Sequence, residues 1–321
     1  MRGIPRKPDA EQELRKAKRL AWITFPYNIS VIAMLFMAMG GSQALKTELV
    51  GELLSFIPPV LFLVGDRLTR REPNEKYPFG YERAVSAGYL GASITLLGAG
   101  AFLILDAALK LALQEHPTIG GIPLFGRVIW TGWLAIGVLL WSAIPAFFLG
   151  RAKRRAAETL HDKTLAADAE INAADWQSAS AAMVGMIGIG FGLWWADSVA
   201  AFVISLEIVR SGWSELKTAL GDIMDRRPLK LLEKEEDPVT DKLGRFFNGL
   251  PWVNDAIVRV RERGREFTAV AHVIPHHAQV SASELSATAE RAREVDPRLA
   301  EVTIAPVREF PEDVARARKP A

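Results

Sequence analysis

The sequence predicts an α-helical membrane protein with six transmembrane helices, followed by a small α/β domain at its C-terminal end. Half of the 321 residues are hydrophobic, which is a high share for a soluble protein. These residues are concentrated before residue 229, whereas residues 229–321 have the composition of a soluble domain. In the first part they form runs of about 20 residues, the length that a helix needs to cross the hydrocarbon core.

Six such runs, with few or no charged residues, make up a predicted membrane domain of residues 21–213. They lie at about 21–41, 49–65, 84–105, 128–150, 173–195 and 197–213. The last two runs are separated only by residues 194–197, whose tryptophans are typical of a membrane interface. The first run is followed by further spans rather than by a cleavage site, so we expect no removable signal peptide.

Basic residues predict the orientation of the spans. An even number of spans places both termini on one side, together with the basic tail of residues 1–20 and the loops after the second and fourth spans. The opposite side has only Lys46, Lys110 and Arg127. Because positively charged loops stay in the cytoplasm, we expect a multi-pass protein of the cell inner (plasma) membrane with both termini cytoplasmic. Its basic face is expected to meet anionic membrane lipid.

The C-terminal part predicts a linker (residues 214–239), a cytoplasmic α/β domain (residues 240–308) and a tail (residues 309–321). The order α-β-β-α-β is typical of a small two-layer fold. Ser281, with Glu284 three residues later, predicts a capping box at the second helix, which Pro297 ends. The predicted elements are helix Thr240–Asn248, strands Val253–Arg261 and Phe267–Pro275 with Gly264 between them, helix Ser281–Val295 and strand Glu301–Val307.

Two matching sets of polar residues lie in the second and fifth spans. Both sets have the spacing i, i+4, i+7, which places each on one helical face. An ionisable group inside a membrane costs about 3 kcal/mol, so the two oxygen-rich faces predict a route for a cation. Alternatively, the outer members lie at the membrane interfaces without a role. The sets are Glu48, Glu52 and Ser55, and Asp168, Asn172 and Asp175.

Several segments, in their order and spacing, resemble the cation diffusion facilitator family over roughly residues 20–308. They are residues 77–84 (Tyr-Pro-Phe-Gly-Tyr-Glu-Arg-Ala), Gly41-Ser42 before Glu48, Ala167-Asp168-Ala169 before Asp175, residues 195–197, residues 225–228 and residues 258–264. The resemblance implies a homodimer that exports divalent metals in exchange for protons. Each subunit would have six spans and a metallochaperone-like (ferredoxin-like) cytoplasmic domain. It also implies a charge lock between Arg83 and Asp225, for which solvated loop charges are the alternative.

The departures from the family pattern concern the metal ligands. By spacing, the family's transport ligands fall on Gly51, Ser55, Ile171 and Asp175, and three of these lack a strong ligand. Tyr77 and Tyr81 replace the loop histidines. In the tail domain His272 stands at a family ligand position, but Asn254 and Ile304 or Ala305 stand at the others. A cluster of His272, His276 and His277 is therefore a second candidate metal site, with exposed histidines as the alternative.

The departures lead to a hypothesis of a relocated site. Because the second and fifth spans run antiparallel, Glu52 lies at the depth of Asp175, and Ser55 lies level with Asn172. We expect the two carboxylates to be anionic ligands and the two neutral groups to add oxygens. Glu48 then lies toward the outer mouth and Asp168 toward the inner one. Oxygen sites suit manganese, magnesium or calcium, and ferrous iron less well. As cargo, manganese or iron is favoured over zinc.

Pro58 and Pro59 add a backbone contribution to this hypothesis. Proline lacks the amide proton that would reach the carbonyl four residues back, so the carbonyls of Leu54 and Ser55 lose their helical partners. Such oxygens are tolerated in a membrane where they line a cavity. A plain kink is the alternative. Glu207 is either a third carboxylate in the path or a partner of Arg210.

The predicted function is export of a divalent cation, coupled to protons by a carboxylate that exchanges a proton for the ion. The alternative is a transport-inactive relative that acts as a membrane scaffold or heterodimer partner. The sequence contains no cysteine and no recognisable nucleophile, base and oxyanion hole, so we do not expect an enzyme. We also expect no tightly bound cofactor and no nucleic-acid partner. His161 and Asp162, before the fifth span, are expected to be solvated.

Overall fold

The computed structural model describes residues 8–38, 43–114, 121–124, 127–193, 195–231, 235–277 and 279–316. The chain divides into two compact units, Pro8–Ala219 and a unit that includes everything described from Leu220 onward. The first unit is built from long helices. They are α1 (Pro8–Ala38), α2 (Gln43–Leu54), α3 (Ile57–Thr69), α4 (Arg83–Ala112), α5 (Thr131–Leu160), α6 (Lys163–Gly190) and α7 (Ala196–Ile223), with a hairpin of β1 (Gly121–Leu124) and β2 (Arg127–Trp130) before α5.

Within the described residues, four segments are long and apolar enough to span a membrane. They are Glu11–Ala38, Glu48–Thr69, Arg83–Ala112 and Gly132–Leu160. These segments correspond to the first four predicted runs, although the fourth begins after β2 rather than at residue 128. The helices α6 and α7 match the fifth and sixth runs but carry more ionisable residues, among them Asp175 and Glu207. The total of six spans therefore remains a prediction.

The second predicted span consists of two helices rather than one. The helix α2 ends at Leu54 and α3 begins at Ile57, so the chain is irregular at Ser55 and Phe56. Pro58 and Pro59 lie in the first turn of α3 and are buried. Proline is tolerated in a first turn because its missing amide proton would have no helical partner there. The paired prolines thus account for the interruption.

Small residues allow the helices of this unit to approach closely. A Cβ atom added at Gly150 of α5 would lie 3.3 Å from the carbonyl oxygen of Ala169 and from Asn172 Cβ in α6. At Gly212 of α7, an added Cβ would lie only 2.7 Å from the backbone nitrogen of Leu97 in α4. Close packing at small residues is typical of membrane helices. Here it places α5 against α6 and α7 against α4.

The unit that follows contains a three-stranded sheet with the predicted order of elements. Its strands pair in the order β3-β4-β5, antiparallel between β3 and β4 and parallel between β4 and β5. Phe247, Phe267 and Leu299 are fully buried in its core. The Ser281 hydroxyl accepts a hydrogen bond from the Glu284 amide at 3.1 Å, as expected of an N-cap. The elements are α8 (Val239–Asn248), β3 (Val253–Arg263), β4 (Glu266–Pro275), α9 (Ala282–Arg293), β5 (Leu299–Pro306) and α10 (Glu312–Arg316).

Four predicted features differ in the structure. The basic tail is largely helical because α1 begins at Pro8, α7 extends into the predicted linker as far as Ile223, and α10 lies in the predicted tail. The prediction that His161 and Asp162 are solvated is wrong, since both are buried. Asp162 accepts a hydrogen bond from the Leu165 amide at 3.0 Å. It thereby satisfies an amide of the first turn of α6 that has no partner within the helix.

Candidate cation site

A small cavity lies between α2, α4, α6 and α7. Its volume is about 30 Å³, enough for a water molecule or a bare metal ion. Side chains such as Leu96, Phe102 and Ile208 form its apolar walls. Its polar lining is contributed by Glu48, Glu52, Ser55, Thr95, Asp175 and Ser178. The second-span residues of the predicted polar stripe and Asp175 of the fifth span therefore meet at one place.

Glu52 is held by a hydroxyl group of a neighbouring helix. Only 2% of Glu52 is exposed, and the Ser142 hydroxyl of α5 donates a hydrogen bond of 2.8 Å to its Oε1. In the described part of the chain, Oε2 of Glu52 has no hydrogen-bond partner. A buried carboxylate oxygen without a partner costs free energy, and it is also an oxygen that is available to a cation.

Asp175 receives hydrogen bonds from both neutral residues of the predicted site. The Ser55 hydroxyl donates to its Oδ1 at 2.8 Å, and the side chain of Asn172 also hydrogen-bonds to it. Ser55 follows directly after α2, and its hydroxyl also lies 3.2 Å from the Gly51 carbonyl oxygen of that helix. Asn172 is buried, and its Oδ1 has no hydrogen-bond partner among the described residues.

Glu48 lines the same cavity one turn away from Glu52. It is buried, and the Ser178 hydroxyl of α6 donates a hydrogen bond of 2.8 Å to its Oε2. Each of the three carboxylates of the cavity thus accepts a hydrogen bond from a serine of another segment. The sequence reasoning included Ser55 but missed Ser142 and Ser178. Both serines stand among apolar residues of predicted spans, but this position alone does not show which residue of another span they face.

Asp168 takes part in a different arrangement. It does not line the cavity but lies 2.9 Å from the ammonium of Lys153 in α5, with both side chains almost completely buried. The sequence reasoning assigned Lys153 to a basic loop and did not place it near Asp168. Tyr27 was also missed, although its hydroxyl donates a hydrogen bond to the Ser142 carbonyl.

Glu207 and the tail histidines lie apart from this cavity. Glu207 is exposed on α7, whereas its neighbour Ile208 lines the cavity. His272 is buried in β4, while His276 and His277 are exposed after that strand. Burial, followed by the charge of Arg259, lowers the pKa of His272. Within the described residues, no group of three or more His, Asp or Glu side chains is placed to hold a metal. This holds for the cavity carboxylates as well as for the histidines, so both candidate sites stay predictions.

The charge lock between Arg83 and Asp225 stays a prediction. Arg83 begins α4, and Asp225 follows α7. In the structure Asp225 accepts a hydrogen bond of 3.1 Å from Arg261 Nη1 of β3. This interaction belongs to the second unit, and it anchors the segment after α7 to the sheet.

Comparison with known proteins identifies the membrane part. Residues 21–224 match the family model for the cation efflux transmembrane domain. The manganese efflux system protein MneS of Bacillus subtilis is 26% identical over 222 residues, which cover 68% of this chain and 72% of MneS. The transporter YdbO of the same organism is 25% identical over 239 residues, which cover 74% of this chain and 77% of YdbO.

A third relative comes from a different organism. The magnetosome protein MamB of Paramagnetospirillum magneticum is 26% identical over 191 residues, which cover 58% of this chain and 59% of MamB. The family consists of membrane transporters of metal cations rather than of enzymes. Since its model covers more than half of the sequence, the chain belongs to the cation diffusion facilitator family.

Proposed function

We propose that the protein exports a divalent metal cation from the cytoplasm in exchange for protons, through the cavity between α2 and α6. One observation carries the proposal: three carboxylates from these two helices line a single buried cavity. Each of them accepts a hydrogen bond from a serine hydroxyl. Acidic groups inside a membrane segment are costly, and those that occur there often mark an ion pathway.

Glu52 and Asp175 are the proposed anionic ligands, and Ser55 and Asn172 are the proposed neutral ligands. In the described part of the chain, Oε2 of Glu52 lacks a hydrogen-bond partner, and so does Oδ1 of Asn172. Asn172 does not line the cavity itself but hydrogen-bonds to Asp175, which does. The serine hydroxyls stabilise the carboxylates while the site is without an ion. When an ion binds, a hydroxyl can rotate and offer its oxygen instead.

Manganese is the proposed cargo, with ferrous iron next and zinc less favoured. The polar side chains that line the cavity present oxygen atoms only. Oxygen ligands suit manganese, whereas zinc sites usually include nitrogen or sulfur ligands. The similarity to the manganese efflux protein MneS supports the same choice.

Proton coupling follows from the proximity of the acidic groups. Two carboxylates that share one cavity cannot both carry a charge at low cost unless a cation is present. Loss of the ion therefore favours uptake of a proton by the Glu52–Asp175 pair, and binding of the ion releases it. This exchange is the minimum requirement for antiport.

The proposed arrangement is a homodimer with six spans in each subunit and both termini in the cytoplasm. On α6 and α7, the apolar side chains of Val184, Val203 and Leu206 are at least half exposed. Exposed apolar surface of this kind favours contact with lipid, as expected if these two helices also span the membrane. A scaffold without transport activity has less support, because it does not explain why three carboxylates held by serine hydroxyls line one cavity.

The experiment that tests this function is transport by the purified protein in liposomes. Manganese, iron, zinc, cobalt, magnesium and calcium are supplied under an imposed pH gradient, and the internal ion concentration is followed with a fluorescent indicator. We expect manganese flux that stops when an ionophore collapses the gradient. Absence of flux for every ion, with protein that is folded and dimeric, would favour the scaffold.

A further inference from the structure

The ion pair between Lys153 and Asp168 is unusually enclosed. The Lys153 side chain has 0% exposure and that of Asp168 1%, and Nζ lies 2.9 Å from Oδ2. In the described part of the chain, neither group has a hydrogen-bond partner apart from the other. An ammonium has three donors and a carboxylate about four acceptor positions, so most of the hydrogen-bonding capacity of both groups is unused.

Such a pair contributes little to the stability of a folded protein. Removing both charges from water costs more than one contact between them returns, unless further hydrogen bonds satisfy the remaining donors and acceptors. Buried groups that are only partly satisfied call for another explanation. The pair is therefore more easily understood as a position where one cation can be exchanged for another.

The position of the pair relative to the cavity supports this explanation. Asp168 precedes Asn172 and Asp175 by one and two helical turns on the same face of α6. Gly150 of α5 lies against Ala169 and Asn172, and Lys153 follows Gly150 by about one turn. The ammonium also acts electrostatically on Asp175. A cation that moves along this face of α6 therefore meets Lys153 next to the proposed site.

We infer that Lys153 is a tethered cation that closes the cytoplasmic end of the transport route by occupying Asp168. This inference rests on the proposed function and on the proposed orientation of the protein, with both termini in the cytoplasm. A divalent ion from the cytoplasm displaces the ammonium from Asp168, and the long, flexible lysine side chain withdraws along the helix. Asp168 then holds the ion briefly before Asp175 does. When the ion has passed, Lys153 returns to Asp168.

The absence of cysteine from the sequence allows a direct test by accessibility. Ala99 of α4 lines the cavity, so Ala99→Cys places a single thiol there. The full-length protein is reconstituted, and a charged, membrane-impermeant methanethiosulfonate reagent is applied to one side or the other. The rate of modification is compared between the protein with the pair and the double variant Lys153→Met/Asp168→Asn.

We expect the double variant to be modified about tenfold faster from the cytoplasmic side and at an unchanged rate from the other side. An unchanged rate from both sides would overturn the gate and leave the pair a structural contact. Both charges are removed together because a single substitution leaves a buried charge without a partner. If the double variant does not fold, Lys153→Gln/Asp168→Asn replaces it, since its two amides can hydrogen-bond to each other.

The matched control is a second ion pair between the same helices. Arg154 of α5 lies 3.6 Å from Glu170 of α6, with half of the arginine side chain exposed. The variant Arg154→Met/Glu170→Gln removes equal charges from α5 and α6 without opening the buried path, and we expect no change in the labelling rate. The labelling assay does not require transport, so the two proposals can fail separately. If removal of the pair speeds labelling but the protein shows no flux, only the proposed function is refuted. If the protein shows flux but removal of the pair leaves the labelling rate unchanged, only the gate is refuted.

Discussion

The Ser55 hydroxyl, at the interruption between α2 and α3, donates a hydrogen bond of 2.8 Å to the Asp175 carboxylate of α6. The interruption and the acidic residue therefore belong to one structural unit. The same hydroxyl lies 3.2 Å from the Gly51 carbonyl oxygen, and the Ser55 amide donates to that oxygen at 3.1 Å. The helical hydrogen bonding of α2 therefore reaches Ser55, at the edge of the interruption.

The hydrogen bond from Ser142 to Glu52 should orient the carboxylate for the ion. We expect Ser142→Ala to weaken the apparent affinity for manganese by about tenfold, the scale that is usual when the hydrogen-bond partner of a metal ligand is removed. The concentration dependence of manganese flux in liposomes measures this change. The matched control is Ser180→Ala, since the Ser180 hydroxyl donates to the Trp176 carbonyl of its own helix. An effect of equal size in both variants would argue against a specific role for Ser142.

Gly51 offers a way to change the ion preference. It lines the cavity, and a Cβ atom added there meets no atom within 4 Å. We expect Gly51→His to raise the ratio of zinc flux to manganese flux by about tenfold, because an imidazole nitrogen favours zinc in an oxygen site. Gly51→Ala is the control, and its ratio should stay unchanged. A histidine variant that transports manganese normally without gaining zinc flux would contradict the proposed position of the site.

Pro59 tests the contribution of the backbone. The substitution Pro59→Ala supplies an amide proton that can reach the Ser55 carbonyl, and it should extend the helix through the interruption. We expect manganese flux to fall by about tenfold, which corresponds to the loss of about 1.4 kcal/mol of interaction free energy with the ion. Normal flux in a folded variant would show that the prolines produce a plain kink. Pro145→Ala, which restores an amide within α5, controls for the general effect of removing a proline from a span.

Arg298 stabilises the sheet unit through two buried carboxylates. It donates to Asp237 at 2.7 and 3.0 Å and to Asp296 at 2.9 Å. We expect Arg298→Met to destabilise this unit by about 2 kcal/mol, less than for a fully enclosed pair because 26% of the arginine side chain is exposed. Hydrogen exchange of the β4 and β5 amides in the full-length protein measures the change. Arg316→Met, which breaks the exposed pair with Glu312, should cause no measurable change.

The same interaction predicts a dependence of stability on pH. Burial raises the pKa of Asp296, but the hydrogen bonds and charge of Arg298 outweigh it, so the net pKa lies below its ordinary value. A carboxyl group with a lowered pKa contributes stability above the pKa of its unfolded state, about 3.9. This contribution is lost as the pH falls through the lower folded-state pKa. After correction for intrinsic exchange rates, protection should decline below about pH 4, and the decline should be smaller in Arg298→Met.

Helical spacing predicted that Glu52, Ser55 and Asp175 lie close together. Glu52 and Ser55 are one turn apart in the second span, and Asp175 of the fifth span lines the same cavity. That an ion binds there stays a prediction. The interruption near Ser55 was foreseen as well, because proline removes a specific amide. The order of elements in the sheet unit followed from alternating apolar residues and from the Ser281 cap.

Lys153 shows what the sequence alone did not reveal. It lies in a basic segment with Arg151, Arg154 and Arg155, and such a segment is sufficiently explained as a topology signal. Of these four residues only Lys153 is fully buried, because the rotation of α5 turns its face toward α6. The partners of Glu48 and Glu52 were missed for the same reason: the rotation of a helix about its axis depends on tertiary packing, which residue type does not encode.

The most direct test of the proposed site is manganese flux in liposomes with Asp175→Asn and Glu52→Gln. The matched control is Glu207→Gln, which neutralises an exposed carboxylate on α7 without touching the cavity lining. The account predicts that flux falls to background in the first two variants and is retained in the control. Normal, proton-coupled manganese flux in both Asp175→Asn and Glu52→Gln would contradict it and would place the ion site elsewhere.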